Sequence, residues 1–114
     1  YLYWGFSGGC GGGFVFFGGA SGGFDLCATS VTPNLNQWNH ILITWGSSKK
    51  IYLNGSQVAS GGAATITFTN PLNIGGLGVA NGSINWFKGS IDDVRVYNRA
   101  LSAAEVTALY NATR

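Results

Sequence analysis

Four carboxylates (Asp25, Asp92, Asp93, Glu105), one histidine (His40) and two cysteines (Cys10, Cys27) are the side chains best suited to acid–base, metal or redox chemistry in this 114-residue chain. Three of the carboxylates fall in one stretch, Phe87–Tyr110, FKGSIDDVRVYNRALSAAEVTALY. Glu105 has a local explanation. In Ser102-Ala-Ala-Glu105 the serine caps a helix and the glutamate reaches back to the serine amide, a capping box. Leu101 before the cap and Val106 after it fit a hydrophobic staple. In IDDVRVY the side chains alternate as in a strand. Asp92 then shares a face with Val94 and Val96, and Asp93 shares one with Ile91, Arg95 and Tyr97. With the valines facing a core, Asp92 points inward and needs partners, because an unpaired buried carboxylate is very costly. Loop amides at a bulge would serve. So would calcium, a hard ion that takes carboxylate, backbone and amide oxygens. Asp92 is the first candidate metal ligand and Asp25 the second. Asp93 is expected to pair with Arg95 or with a lysine of a neighbouring strand.

The remaining chemistry is sparse. A glycosidase needs two Asp/Glu residues facing across a cleft, and no such cluster is evident once Glu105 is assigned to a cap. His40 stands alone, and no Ser/His/Asp constellation occurs at a recognisable spacing. The chain therefore reads as a non-enzyme, with no catalytic residues. The glycine runs GGCGGGF and NIGGLG are not followed by a helix, so they are not phosphate cradles.

Aromatic residues are the other resource. Trp86 lies in NGSINWF beside Asn81 and Asn85. An exposed indole flanked by amides is a platform for a sugar, so Trp86, Asn85 and Asn81 are the candidate ligand-binding residues. The competing reading is a loop anchor over the core.

Composition sets the class. Hydrophobic residues make up 46% and charged residues 9%, against about a quarter charged in an ordinary soluble domain. A surface of Asn, Ser, Thr and Gly suits a secreted or cell-surface protein. Sixteen residues separate Cys10 from Cys27. That suits one disulfide in an oxidising compartment; two unpaired small hydrophobes are the alternative. The net charge of +2 comes from scattered basic residues, which does not favour nucleic-acid binding. No apolar run approaches the roughly 18 residues of a membrane span. The chain opens on YLYWGF, without Met or a signal pattern, as a processed protein or fragment would.

These residues must be positioned by short strands. Aromatic and β-branched runs bounded by glycines predict strands near 1–6, 13–18 and 23–29, the last two joined by GGASGG. Further strands are expected at 38–46, at KIYLN and at SQVAS, the last pair turning on Asn54-Gly55, a strong hairpin signal. TITFT (65–69), a segment near 72–75 and IDDVRVY follow, with turns at GSSKK and LGVANGS. In 38–46, Ile41, Ile43 and Trp45 share one face, and Leu42 and Thr44 the other. Both faces are apolar, as in a central strand. One helix closes the chain. The fold class is all-β: an antiparallel two-sheet jelly-roll sandwich with one short C-terminal helix.

The blocks WNHILITW, KKIYLNGSQVAS, PLNIGG and FKGSIDDVRVYNRALSAAEVTALY, in that order and spacing, resemble a laminin-G-like domain of the concanavalin A-like lectin/glucanase superfamily, over about Trp38 to Tyr110. The resemblance implies a jelly roll exposed outside the cell, used for adhesion or glycan binding and usually not catalytic. It places Trp38 and Trp45 in packing blocks, and by analogy it supports a structural calcium near the last strand. It also implies N-terminal strands beyond those this 1–114 domain contains, leaving Tyr3 and Trp4 to face either a core or an interface. Exposed sheet edges invite pairing with another chain. The leading function is a non-catalytic extracellular glycan-binding or adhesion module, partnered by a glycan or a surface protein. The alternative is a structural subunit of a self-assembling filament or surface layer, or part of a larger parent chain. An accessory domain of a glycosidase ranks third. Three Asn-x-Ser/Thr sequons, at Asn54, Asn81 and Asn111, are compatible with an extracellular life.

Overall fold

The computed structural model of the chain describes residues 2–5, 13–16, 26–29, 31–63, 65, 74–78 and 84–113. They divide between two compact units, one of Tyr1–Ile66 with Arg99–Arg114 and one of Thr67–Asn98.

The first unit holds two antiparallel sheets. Strands β1 (Leu2–Gly5), β2 (Gly13–Phe16) and β3 (Leu26–Thr29) pair in that order, with Val15 opposite both Tyr3 and Cys27. Strands β4 (Ile41–Thr44), β5 (Lys49–Leu53) and β6 (Ser56–Gly61) form the second sheet, again in chain order. The expected Asn54-Gly55 hairpin is present. Its two turn residues have φ of 51° and 78°. Two successive left-handed residues give the turn whose twist matches paired strands, and Asn-Gly tolerates that backbone best.

The core lies between these sheets. Leu26 and Ala28, on one face of β3, are buried with Ile51 of β5. Ile43, Trp45, Leu53, Val58 and Ala59 pack around them. The face expected for Ile43 and Trp45 is therefore the core face. Val58 and Ala59 are adjacent in sequence yet both reach the core, because the ladder slips between Ile51 and Tyr52. Ile51 faces Ala59 while Tyr52 faces Gln57, so Val58 is the extra residue of a bulge. The other face of β5 buries Tyr52. The strand covered on both sides is thus β5, with a sheet neighbour on each edge. Strand β4, the one expected to be central, has a single partner in the described sheet.

Helix α1 (Ala103–Thr113) belongs to the same unit. It docks on the β5–β6 turn. The Thr107 hydroxyl donates to the Gly55 carbonyl at 3.3 Å, and the Tyr110 ring lies 5.9 Å from the His40 ring, tilted by 45°. Val106 is fully buried. Among the described residues no helix is long and apolar enough to cross a membrane.

The second unit contains β7 (Gly76–Gly78) paired antiparallel with β8 (Ile84–Trp86). Three expectations need correction or fall outside. Of the strand expected near 72–75, Ile74 and Gly75 form a bend leading into β7, and residues 72 and 73 lie outside the described residues. TITFT lies outside the described residues apart from Thr65. IDDVRVY is not a strand: residues 87–97 have no regular secondary structure. Asp93 takes φ of 52°, which breaks the alternation. Its amide donates to Asp92 Oδ1 at 2.7 Å, a local bond that competes with a strand ladder. The described strands thus form three small antiparallel sheets where a two-sheet sandwich was expected.

Candidate ligand-binding site

Trp86 ends β8 and stands directly opposite Gly76 of β7. Expected in a loop, it is held instead by a ladder. The amide of Phe87 extends that ladder by donating to the Gly75 carbonyl at 2.8 Å. The indole packs against Gly76, so close that a Cβ on residue 76 would overlap its six-membered ring at Cε3 and Cζ3. Gly75, at φ of 76°, makes the turn into β7. A cross-strand glycine is a natural seat for an aromatic ring, which shields the bare backbone. The ring is nevertheless 73% exposed. The Cε3–Cζ3 side is seated on the glycine and most of the ring meets solvent. Phe87 and Tyr97, in the same unit, are also exposed. Asn85 sits one step back on β8, in register with Leu77. Asn81 lies outside the described residues.

Without the strand, Asp92 is not turned inward. Val94 and Val96 are exposed, and so is Asp92. Asp92 Oδ1 takes the Asp93 amide. Asp93 is paired as expected: Arg95 grips it with two bonds of 2.9 Å. The Tyr97 hydroxyl, then Asp93, hold the Arg95 guanidinium above its ordinary pKa. Asp93, Arg95 and Tyr97 so form a polar row at every second residue. The pair is solvated and adds little to stability. Among the described residues no group of three or more His, Cys, Asp or Glu side chains is gathered, and Asp25 lies outside them. A calcium at Asp92 would therefore draw mostly on backbone and amide oxygens.

The capping box is as the sequence predicts. The Ser102 amide donates to Glu105 Oε2 at 2.8 Å, and the Glu105 amide donates to Ser102 Oγ at 3.3 Å. The sequence reading missed Arg99. Its guanidinium forks onto the same carboxylate at 2.6 and 3.0 Å. Arg99, followed by the Ser102 bonds, lowers the Glu105 pKa to about 2. The sign follows directly. The folded state prefers the ionised carboxylate, so the contribution is present above the ordinary pKa of 4.5 and is lost as pH falls towards 2. Glu105→Gln keeps an acceptor for the cap and removes the charge. Its melting temperature should lie below that of the parent at pH 6, and the gap should close between pH 4.5 and 2. A gap that stays constant with pH would show that Glu105 is not the titrating group.

His40 is a joint in the fold. Its amide donates to Asn54 Oδ1 at 2.9 Å, and its carbonyl accepts the Asn54 amide at 2.8 Å. The first of these, with the bond from Asn54 Nδ2 to Asn39 Oδ1, engages the side chain of the Asn54 sequon, whereas Asn111 is exposed on α1. The Asn81 sequon lies outside the described residues. Cys27 is half-buried in β3 and is not a free thiol; Cys10 lies outside the described residues. Trp45 packs on the core, but Trp38 is 69% exposed. Packing was expected for both. Asn39 ties the 34–39 loop back on itself and leaves Trp38 outside.

Antiparallel hairpins, a small inter-sheet core and a seated, exposed indole suit a β-sandwich of the lectin type. The family model described as Laminin_G_3, of the concanavalin A-like lectin/glucanases superfamily, matches residues 1–107. The chain belongs to this family. The match begins at residue 1, well before the Trp38 start of the resemblance read from sequence. No curated protein matches the chain significantly. Among solved structures, the chain is similar to the 2.1 Å crystal structure of an S-layer domain-containing protein from Clostridium thermocellum, at 27% identity and a TM-score of 0.60. The similarity covers 71% of this chain and 42% of that one, so this chain spans less than half of that structure.

Proposed function

We propose that this chain is a non-catalytic extracellular module that binds glycan through Trp86. The observation that carries the reading is the indole itself: 73% exposed, yet held on a strand by its contact with Gly76. A rigid exposed ring can stack on the apolar face of a sugar with little loss of side-chain entropy. Asn85, on the same strand, carries an amide suited to hydroxyl groups. The family and the S-layer domain-containing neighbour support an extracellular setting, in which a Cys10–Cys27 disulfide and a complete jelly roll are the natural expectations.

A glycan array with a Trp86→Ala control tests this. Removing a central tryptophan should cost about 2 kcal/mol, roughly a 30-fold loss of affinity. Unchanged binding by the variant sinks the reading. The same samples with and without EDTA test a structural calcium, since a bound ion stabilises the folded state. Identical melting temperatures would remove it.

The second reading is a subunit of an extracellular assembly. It is favoured by the S-layer domain in the neighbour's description and by the exposed Ile91, Val94 and Val96 in one short segment. Sedimentation of the same sample decides it: monomer alone at high concentration counts against assembly.

A further inference from the structure

The β3–β4 loop presents a second indole that the Trp86 reading does not use. Trp38 and Leu35 are both exposed there. Exposed apolar side chains occurring singly need no explanation. What stands out is how many hydrogen bonds hold this loop while Leu35 and Trp38 stay exposed; Val31, at its start, packs on the core. Asn39 Oδ1 accepts the Asn34 amide at 3.0 Å and Asn54 Nδ2 at 3.2 Å. Asn39 Nδ2 donates to the Asn34 carbonyl at 2.8 Å and to the Gln37 carbonyl at 3.0 Å. All four hydrogen-bonding positions of one amide are thereby used to hold the loop. Asn36 adopts φ of 58°, a left-handed conformation that asparagine tolerates. Asn54 ties the loop to the β5–β6 turn of the same unit.

Such a loop has lost its conformational freedom on folding, before any ligand arrives. Preorganisation of this kind raises affinity by lowering the ordering cost of binding. The chemistry of the surface narrows the ligand. From Leu26 to Ser48 there is no Asp, Glu, Lys or Arg. The loop itself therefore offers no countercharge to an anionic or a cationic ligand. Next to Trp38 in sequence the loop exposes Asn36 and Gln37, whose amides both donate and accept. An apolar ring with uncharged amide neighbours fits a neutral saccharide: C–H groups on the indole, hydroxyls on the amides.

We propose that Trp38, with Asn36 and Gln37, forms a second neutral-saccharide platform on the β3–β4 loop. It shares a ligand class with the Trp86 reading, but it stands on different residues in the other compact unit.

The test uses the whole chain and a panel of soluble neutral polysaccharides (β-glucan, xylan and mannan) in affinity electrophoresis and calorimetry. Trp38→Ala should weaken binding to at least one of them by about tenfold or more. Trp38→Tyr, which keeps an aromatic face, should retain most of that binding, and both variants should melt near the parent. Loss of binding confined to Trp86→Ala overturns this site and leaves the Trp86 platform standing. Loss confined to Trp38→Ala does the reverse. Binding unchanged by Trp38→Ala, or a Trp38→Ala effect on sedimentation alone, also overturns the proposal; the latter would mark a protein contact.

Discussion

Truncating Ile51 to alanine should lower the unfolding free energy by about 3–4 kcal/mol. Ile51 is fully buried at the middle of the central strand, where Leu26 and Ala28 of the facing sheet meet it. The loss has two parts, the transfer free energy of the removed carbons and the cavity left behind. Ile51 is the most completely buried member of the cluster it forms with Leu26 and Ala28. Its neighbours belong to two hydrogen-bonded sheets, so they cannot collapse freely into the gap. For a domain with a total stability of about 5–15 kcal/mol, this is a large fraction. In a thermal scan it corresponds to a fall of roughly 15 °C. Urea unfolding should show the midpoint falling with the slope unchanged. Ile41→Ala, at a partly exposed position on β4, is the control and should cost less than about 1 kcal/mol. Equal losses at the two positions would mean that the two sheets do not share a core at Ile51.

Gly55→Ala should be the second severe change, at about 2–4 kcal/mol. Two effects add. The backbone at Gly55 is left-handed, with φ of 78°, where a side chain costs roughly 1–2 kcal/mol. A Cβ there would also lie 2.8 Å from Tyr110 Cδ1 and 3.2 Å from Tyr110 Cβ and Cγ. The near part of a tyrosine side chain cannot swing away without moving its helix. Tyr110 leaving its seat would open the His40 ring contact and the Thr107–Gly55 bond. A double-mutant cycle separates the two effects. In a Tyr110→Ala background the cost of Gly55→Ala should shrink to the backbone part, roughly 1–2 kcal/mol. A cost identical in both backgrounds would show that the helix does not press on the turn. Circular dichroism at helical wavelengths would report the undocking separately from global unfolding.

Much of the candidate site was readable without coordinates, though in pieces. Trp86 was singled out for its amide neighbours, and the structure adds that it is exposed. It also moves Trp86 from a loop to the end of β8, because Gly76, ten residues away in sequence, supplies the seat. The neighbouring segment went the other way. IDDVRVY has strand alternation, yet one left-handed aspartate and one side chain-to-amide bond outweigh the pattern. Trp38 had been assigned to packing from its family block. Its exposure depends on how Asn39 and Asn54 clasp the loop, and the second of these is fifteen residues distant.

What the sequence by itself determined is what short-range physics decides. The Ser102–Glu105 box, the Asn54-Gly55 turn and the Asp93–Arg95 pair all involve residues within a few positions of one another, so residue type and spacing are enough. Tertiary structure alone decided which strand is covered on both faces, where the β6 bulge puts Val58, that Arg99 joins the helix cap, and which indoles meet solvent. Arg99 is only six residues from Glu105, and there the path of the intervening loop sets the contact; the others depend on the pairing of separate segments, where many partners are chemically acceptable and only packing selects among them.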